Sequence, residues 1–167
     1  ILESLLLNNV ITTSSVVARR DVILDAGGFP EAQRAVHDWP LWLRIAAWHP
    51  IGFVDAPLVQ YRISPGSLSR DLTQTLPGHL DVLEEAFSRR GVAWKLRHLK
   101  RRALAGAYRV VGYEAGRSAQ WRLAAGLFAH ALVHTPADVG AWKALVKVPL
   151  AATGVVRWRG PRDHRFA

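Results

Sequence analysis

Hydrophobic and polar positions follow two different rhythms along this chain of 167 residues. Leu41, Trp42, Ile45 and Trp48 recur at steps of one, three and three, which predicts a helix over 39–48 with a buried stripe. Leu80, Leu83 and Phe87 repeat the helical step while Asp81, Glu84 and Glu85 fall mostly off the stripe, predicting an amphipathic helix from Pro77 to Arg90 that stops at Gly91. Further helices are predicted from Ala93 to Ala115, from Ser118 to Val133 ahead of Thr135-Pro136, and from an Asp138 cap to Val146. The first part of the chain reads differently. Val10 to Ala18 is rich in β-branched residues and predicts a strand, as do Ile51 to Val54 and Pro57 to Ile63 on either side of an Asp55-Ala56-Pro57 turn. Arg20 to Ala26 predicts a short helix ended by Gly27, and Ile1 to Asn9 a short helix or loop.

Strand, helix, helix, strand, strand is not a self-contained core, so the first part reads as the edge of a larger α/β sheet. Charge marks the same division. The net charge is +9, yet residues 1–75 hold six Lys/Arg against seven Asp/Glu, leaving +10 on the remainder. Composition shifts there too, from Ser/Thr/Asp-containing turns to Ala/Arg/Leu-rich helix. The boundary is placed near Leu76-Pro77-Gly78, giving one region over 1–75 and a basic helical region over 76–167. Cysteine is absent, which excludes disulfides and thiolate metal sites. Methionine is absent even at position 1, so the natural N-terminus is expected upstream. No run of about 18 apolar residues predicts a spanning helix, and Ile1 to Leu7, carrying Glu3 and no basic leader, does not read as a signal peptide.

The stretch with the most chemistry in it runs from Gly27-Gly28-Phe29-Pro30-Glu31 to His37-Asp38-Trp39-Pro40-Leu41-Trp42-Leu43-Arg44. Asp38 stands before the first turn of the apolar helix, with Pro40 in that turn, where a missing N–H does no harm. Its carboxylate reads either as a helix cap or as a base at a cleft edge, able to take a proton from a substrate hydroxyl; spacing does not separate the two. Gly28 reads as a turn glycine or as a point where backbone approaches a ligand. The histidine pair His130 and His134 has helical spacing but no third ligand, and reads as core or surface rather than metal site.

Three blocks in order resemble the acceptor-side, C-terminal part of the catalytic domain of a family 2 glycosyltransferase. Thr13-Ser14-Ser15-Val16-Val17-Ala18-Arg19-Arg20 leads into Ala26-Gly27-Gly28-Phe29; His37-Asp38-Trp39 with Leu41-Trp42-Leu43-Arg44 is similar to the family's Glu-Asp-Trp-type motif and its helix; Leu58-Val59-Gln60-Tyr61-Arg62 with Ser64-Pro65-Gly66-Ser67-Leu68-Ser69 is similar to the strand and loop that close the domain. The resemblance covers roughly the first 70 residues and implies an α/β fold of the GT-A type, truncated at its N-terminal side, followed by an all-α C-terminal region.

It also implies an enzyme: a fragment of an inverting glycosyltransferase that moves a sugar from a nucleotide-sugar donor to a hydroxyl acceptor, in cell-envelope polysaccharide or glycolipid synthesis. Asp38 is the implied catalytic base, with Gly27, Gly28, Trp39, Arg62 and Ser67 binding substrate and Trp42 more a core residue than a sugar platform. A divalent cation, Mg or Mn, is the implied cofactor of the full-length enzyme, its ligands mostly outside this chain. Asp-x-Asp and the nucleotide-binding half are missing, and the position where the family often has a metal-reaching histidine is Ser64. The isolated chain is therefore expected to be inactive. The Lys95 to Arg102 and Arg157 to Arg165 clusters could meet an anionic membrane surface, with Trp158 at the interface, which fits a peripheral enzyme at the cytoplasmic face of the cell membrane acting on a glycan or lipid-linked acceptor. The other reading is a non-catalytic basic helical module for membrane, protein or nucleic-acid contact, though no nucleic-acid recognition motif is present.

Overall fold

The computed structural model describes residues 1–31, 35–60 and 71–158. Among them the regular structure is entirely helical: α1 (Leu2–Leu7), a 3-10 turn (Thr13–Ser15), α2 (Arg20–Asp25), α3 (Trp39–Trp48), α4 (Leu72–Phe87), a second 3-10 run (Trp94–Leu99), α5 (Lys100–Arg117), α6 (Trp121–His134) and α7 (Val139–Ala152). The expected α/β fold is therefore corrected to all-α. Val10 to Ala18 folds about the Thr13–Ser15 turn, with Thr12 and Val16 extended on either side. Residues 51–60 form no strand, and 61–63 lie outside the described residues. β-branched residues favour a pleated, half-buried surface but cannot create one. No described segment supplies a ladder for these stretches, and Val17, Phe53, Val54 and Leu58 stand in solvent.

The chain divides into two compact units at Lys100/Arg101. Leu76-Pro77-Gly78, the expected boundary, lies inside α4. That helix starts earlier than expected because Asp71 caps it, its carboxylate accepting from the Thr73 amide at 3.0 Å, and Pro77 is carried within the helix.

In the first unit α3 is the centre. It packs against α1, α2 and α4, burying Trp39, Leu41, Trp42, Leu43 and Ile45 against Leu5 and Leu6 of α1 and Val82, Leu83 and Phe87 of α4. Trp48, expected on the buried stripe, is 81% exposed; Trp39 and Leu43 take the interior instead.

The second unit is built around the α6–α7 hairpin. Asp138 caps α7 by accepting from the Ala141 amide at 3.0 Å, and its other oxygen accepts from Arg109 at 2.6 Å. Small residues let the helices approach: a Cβ on Gly112 would sit 3.0 Å from the Phe128 ring, and one on Gly116 would collide with the Trp158 ring. Trp158 packs with Tyr113, Trp121 and Phe128 and donates to the Tyr113 carbonyl at 3.3 Å, so it serves the interior of this unit. The basic cluster is partly occupied too. Arg101 donates to the Val133 and His134 carbonyls at the end of α6, where its charge also suits the helix dipole. His130 and His134 stack nearly parallel with Tyr108 at 5.2 and 5.5 Å.

Candidate active-site carboxylate at the start of helix three

α2 ends in a Schellman motif: the Gly28 amide donates to Ile23 and the Gly27 amide to Leu24, both at 2.9 Å, with Gly27 at φ +81° and Gly28 at +63°. Glycine is needed here for its left-handed backbone. Arg44, from the middle of α3, donates to the Ala26 and Gly28 carbonyls at 2.6 Å each. The glycine turn is thereby fixed to the helix that carries Asp38.

Asp38 occupies the N-cap position of α3, but its side chain makes no cap hydrogen bond. With φ −81° and ψ −33° the residue is already helical, and the carboxylate turns away from the first-turn amides. It accepts instead from Asn9 Nδ2 at 3.2 Å on one oxygen and from Thr13 Oγ1 at 2.6 Å on the other. The residue is half-buried and Thr13 is exposed, so the carboxylate sits at the surface, held from both sides. A carboxylate offers about four lone-pair directions; two are used here, leaving acceptor capacity for an incoming hydroxyl.

Behind Asp38 the site is solid. Trp39 is 2% exposed, donates from Nε1 to the Leu5 carbonyl at 2.8 Å and packs against the His79 ring at 5.2 Å. It is a core residue with no face open to a sugar, as is Trp42, 3% exposed, whose edge meets Phe29. Of the substrate-binding residues read from the sequence, Gly27 and Gly28 lie in the turn that Arg44 ties down. Arg62 and Ser67, together with Ser64, fall outside the described residues. Asn9 and His79 were not singled out by sequence reasoning. Asn9 is 29 residues from Asp38, beyond any local pattern, and His79 sits in the middle of an otherwise ordinary amphipathic helix. A groove of about 200 Å³ lined by Leu43, Arg44, Val82, Glu85 and Arg90 also opens in this unit, and Asp38, Asn9 and Thr13 take no part in it.

The donor set around Asp38 does not suit a hard dication. Mg or Mn wants several oxygen ligands, whereas this single carboxylate has a hydrogen-bond donor on each oxygen. Among the described residues no group of three or more His, Asp or Glu side chains could hold a metal ion.

His79 is 8% exposed, and its Nδ1–H donates to the Thr75 carbonyl at 2.7 Å. Burial pushes the imidazole below its ordinary value of 6.5, with the Thr75 bond and the Asp38 charge working in the other direction. Because the folded value is lowered, the unfolded chain binds the proton first. The His79 contribution to stability is thus whole above pH 6.5 and is lost as pH falls through the window beneath that value. Urea midpoints measured between pH 8 and 5 should decline on the acid side for the native chain and less steeply for His79→Gln.

In comparisons with family models, curated proteins and solved structures, nothing matches this chain.

Proposed function

We propose that this chain carries the acceptor-activating carboxylate of an inverting glycosyl transfer of the family 2 type. Asp38 takes the proton from an acceptor hydroxyl as that oxygen forms its bond to the anomeric carbon of a nucleotide-sugar; the bond to the diphosphate oxygen breaks on the opposite face, and the configuration inverts. Thr13 and Asn9 hold the carboxylate in place during proton transfer. The observation that supports this reading is that Asp38, placed where a cap would stand, leaves the helix amides and is held half-open by two donors instead. The motif blocks around it, similar to those of family 2 enzymes, support it from the sequence side. Groups that bind the donor are assigned to sequence outside this chain. The acceptor in this proposal is a glycan or lipid-linked sugar of the cell envelope, met at the cytoplasmic face of the membrane. The contact in this proposal is peripheral; no helix among the described residues is long and apolar enough to cross a membrane.

A specific observation favours a second reading. Among the described residues all the regular structure is helical and the second unit is built around a basic helix hairpin, which suits a non-catalytic contact module. One assay separates the two. The longest gene product carrying this chain is supplied with a panel of nucleotide-sugars and membrane extract, and nucleoside diphosphate release is measured. Release that Asp38→Asn lowers by about 10² supports the transferase; absence of release across the panel favours the module.

A further inference from the structure

α7 is built inside out. Its inward face is made of Ala141, Ala144, Val148 and Ala151, all buried. Leu145 packs partly buried against the same core, but the other larger apolar residues point the other way: Val139 is 62% exposed, Trp142 51%, Val146 64% and Leu150 43%. Steps of three, four and four place these four on one side of the helix, a stripe running from Val139 to Leu150 over most of its 14 residues, about 18 Å. Lys143 lies at one edge of the stripe, while Lys147 is turned over the Trp158 ring at 5.7 Å, and α7 contains no acidic residue. An apolar stripe of this length left in water points to a binding surface.

We propose that this face of α7 is a docking surface for an anionic lipid bilayer, with the stripe lying in the headgroup region and Lys143 meeting lipid phosphates. Charge identifies the occupant. Residues 101–165 hold eleven Lys/Arg against three Asp/Glu, a net +8. Two of the three acids, Glu114 and Asp138, are engaged with Arg117 and Arg109. A second copy would bring the same positive surface against this one, which repels. A protein interface carries roughly one hydrogen bond per 100–200 Å², whereas the four stripe residues offer only the Trp142 indole N–H, already donated to the Pro136 carbonyl at 2.8 Å. An apolar face with a cation at its edge, carried on a basic unit and offering no further polar recognition, is what an interfacial helix presents to acidic lipid. Trp142, rather than the enclosed Trp158, is the aromatic anchor. The inference deepens the peripheral membrane contact proposed above and rests on it for the choice of membrane face alone; it holds whether or not Asp38 transfers a proton.

The test is co-sedimentation of the full chain with vesicles of phosphatidylglycerol and phosphatidylcholine, compared with vesicles of phosphatidylcholine alone. Binding should be at least tenfold tighter to the anionic vesicles and should weaken steeply with salt. Val146→Asp and Leu150→Glu should each lower it about tenfold or more, and Lys143→Glu should lower the preference for acidic lipid about fivefold or more. These are solvent-facing positions, so unchanged circular dichroism is expected and confirms that the fold is kept. Asp38→Asn should bind vesicles as the native chain does, which keeps this result distinct from that of the transfer assay. Vesicle binding unaffected by Val146→Asp and Leu150→Glu, absence of binding to anionic vesicles, or a dimer in light scattering that Val146→Asp dissolves would each overturn the proposal, the last by assigning the stripe to self-association.

Discussion

Trp39→Ala is expected to unfold most of the first unit's core. The side chain is the largest fully buried one in that unit, and removing a buried tryptophan of this kind costs about 3–5 kcal/mol in lost burial and residual cavity. The Leu5 carbonyl also loses its partner, and the His79 ring loses the surface it packs on. Set against a stability of roughly 5–15 kcal/mol for a whole domain, that is enough to leave α1 undocked at ambient temperature. Trp39→Phe is the informative control: it keeps most of the volume and drops the N–H, so its cost should be about 1–3 kcal/mol. Urea unfolding followed by far-ultraviolet circular dichroism measures both. A loss under about 1 kcal/mol for Trp39→Ala would mean that α1 and α3 do not share this core.

Asp38→Asn should lower transfer by a factor on the order of 10² in the full gene product while leaving the fold in place. The amide has nearly the shape of the carboxylate, and both neighbours can adapt: the Thr13 hydroxyl can turn to accept, and the Asn9 amide still finds an oxygen. What disappears is the ability to hold a proton taken from an alcohol. Thr13→Val tests the geometry separately. It removes the 2.6 Å hydrogen bond while keeping the shape, and is expected to lower kcat about tenfold with little change in KM, with Thr13→Ser restoring most of the loss. A structural role for Asp38 predicts the reverse: near-normal turnover in Asp38→Asn, and a lowered urea midpoint instead.

Local structure was legible in the sequence wherever one helix face had to be apolar. α3 was expected over 39–48 and spans Trp39–Trp48; Asp138 was expected to cap α7 and does so; Gly27 was expected to end α2 and stands in its Schellman motif. The failures have physical causes. Val10 to Ala18, Ile51 to Val54 and Pro57 to Ile63 read as strands, but a strand is a property of a pair, and a list of residues does not contain the partner. The apolar stripe places the start of α4 at Pro77, while the stronger signal lies six residues earlier in the capping side chain of Asp71. Periodicity also assigns Trp48 inward, although it is the last residue of its helix and stands 81% exposed. Around Asp38 the N-cap position was readable, and the cap bond expected of it was not made. Its actual partners lie 25 and 29 residues away, brought in by the packing of α1 on α3, and no local rule could have named them.

The inverted build of α7 reverses the usual map of mutational tolerance. In most amphipathic helices the bulky residues are intolerant of change and the alanines accept nearly anything. Here the methyl groups of Ala141 and Ala144 are the spacers that set how near α6 can come, so enlarging either to leucine should separate the hairpin, at roughly 1–3 kcal/mol. Serine at Val139 or Val146 should leave the melting temperature almost where it was. A saturation scan scored for folding alone would therefore pass over the widest side chains of the helix and mark its smallest ones as indispensable.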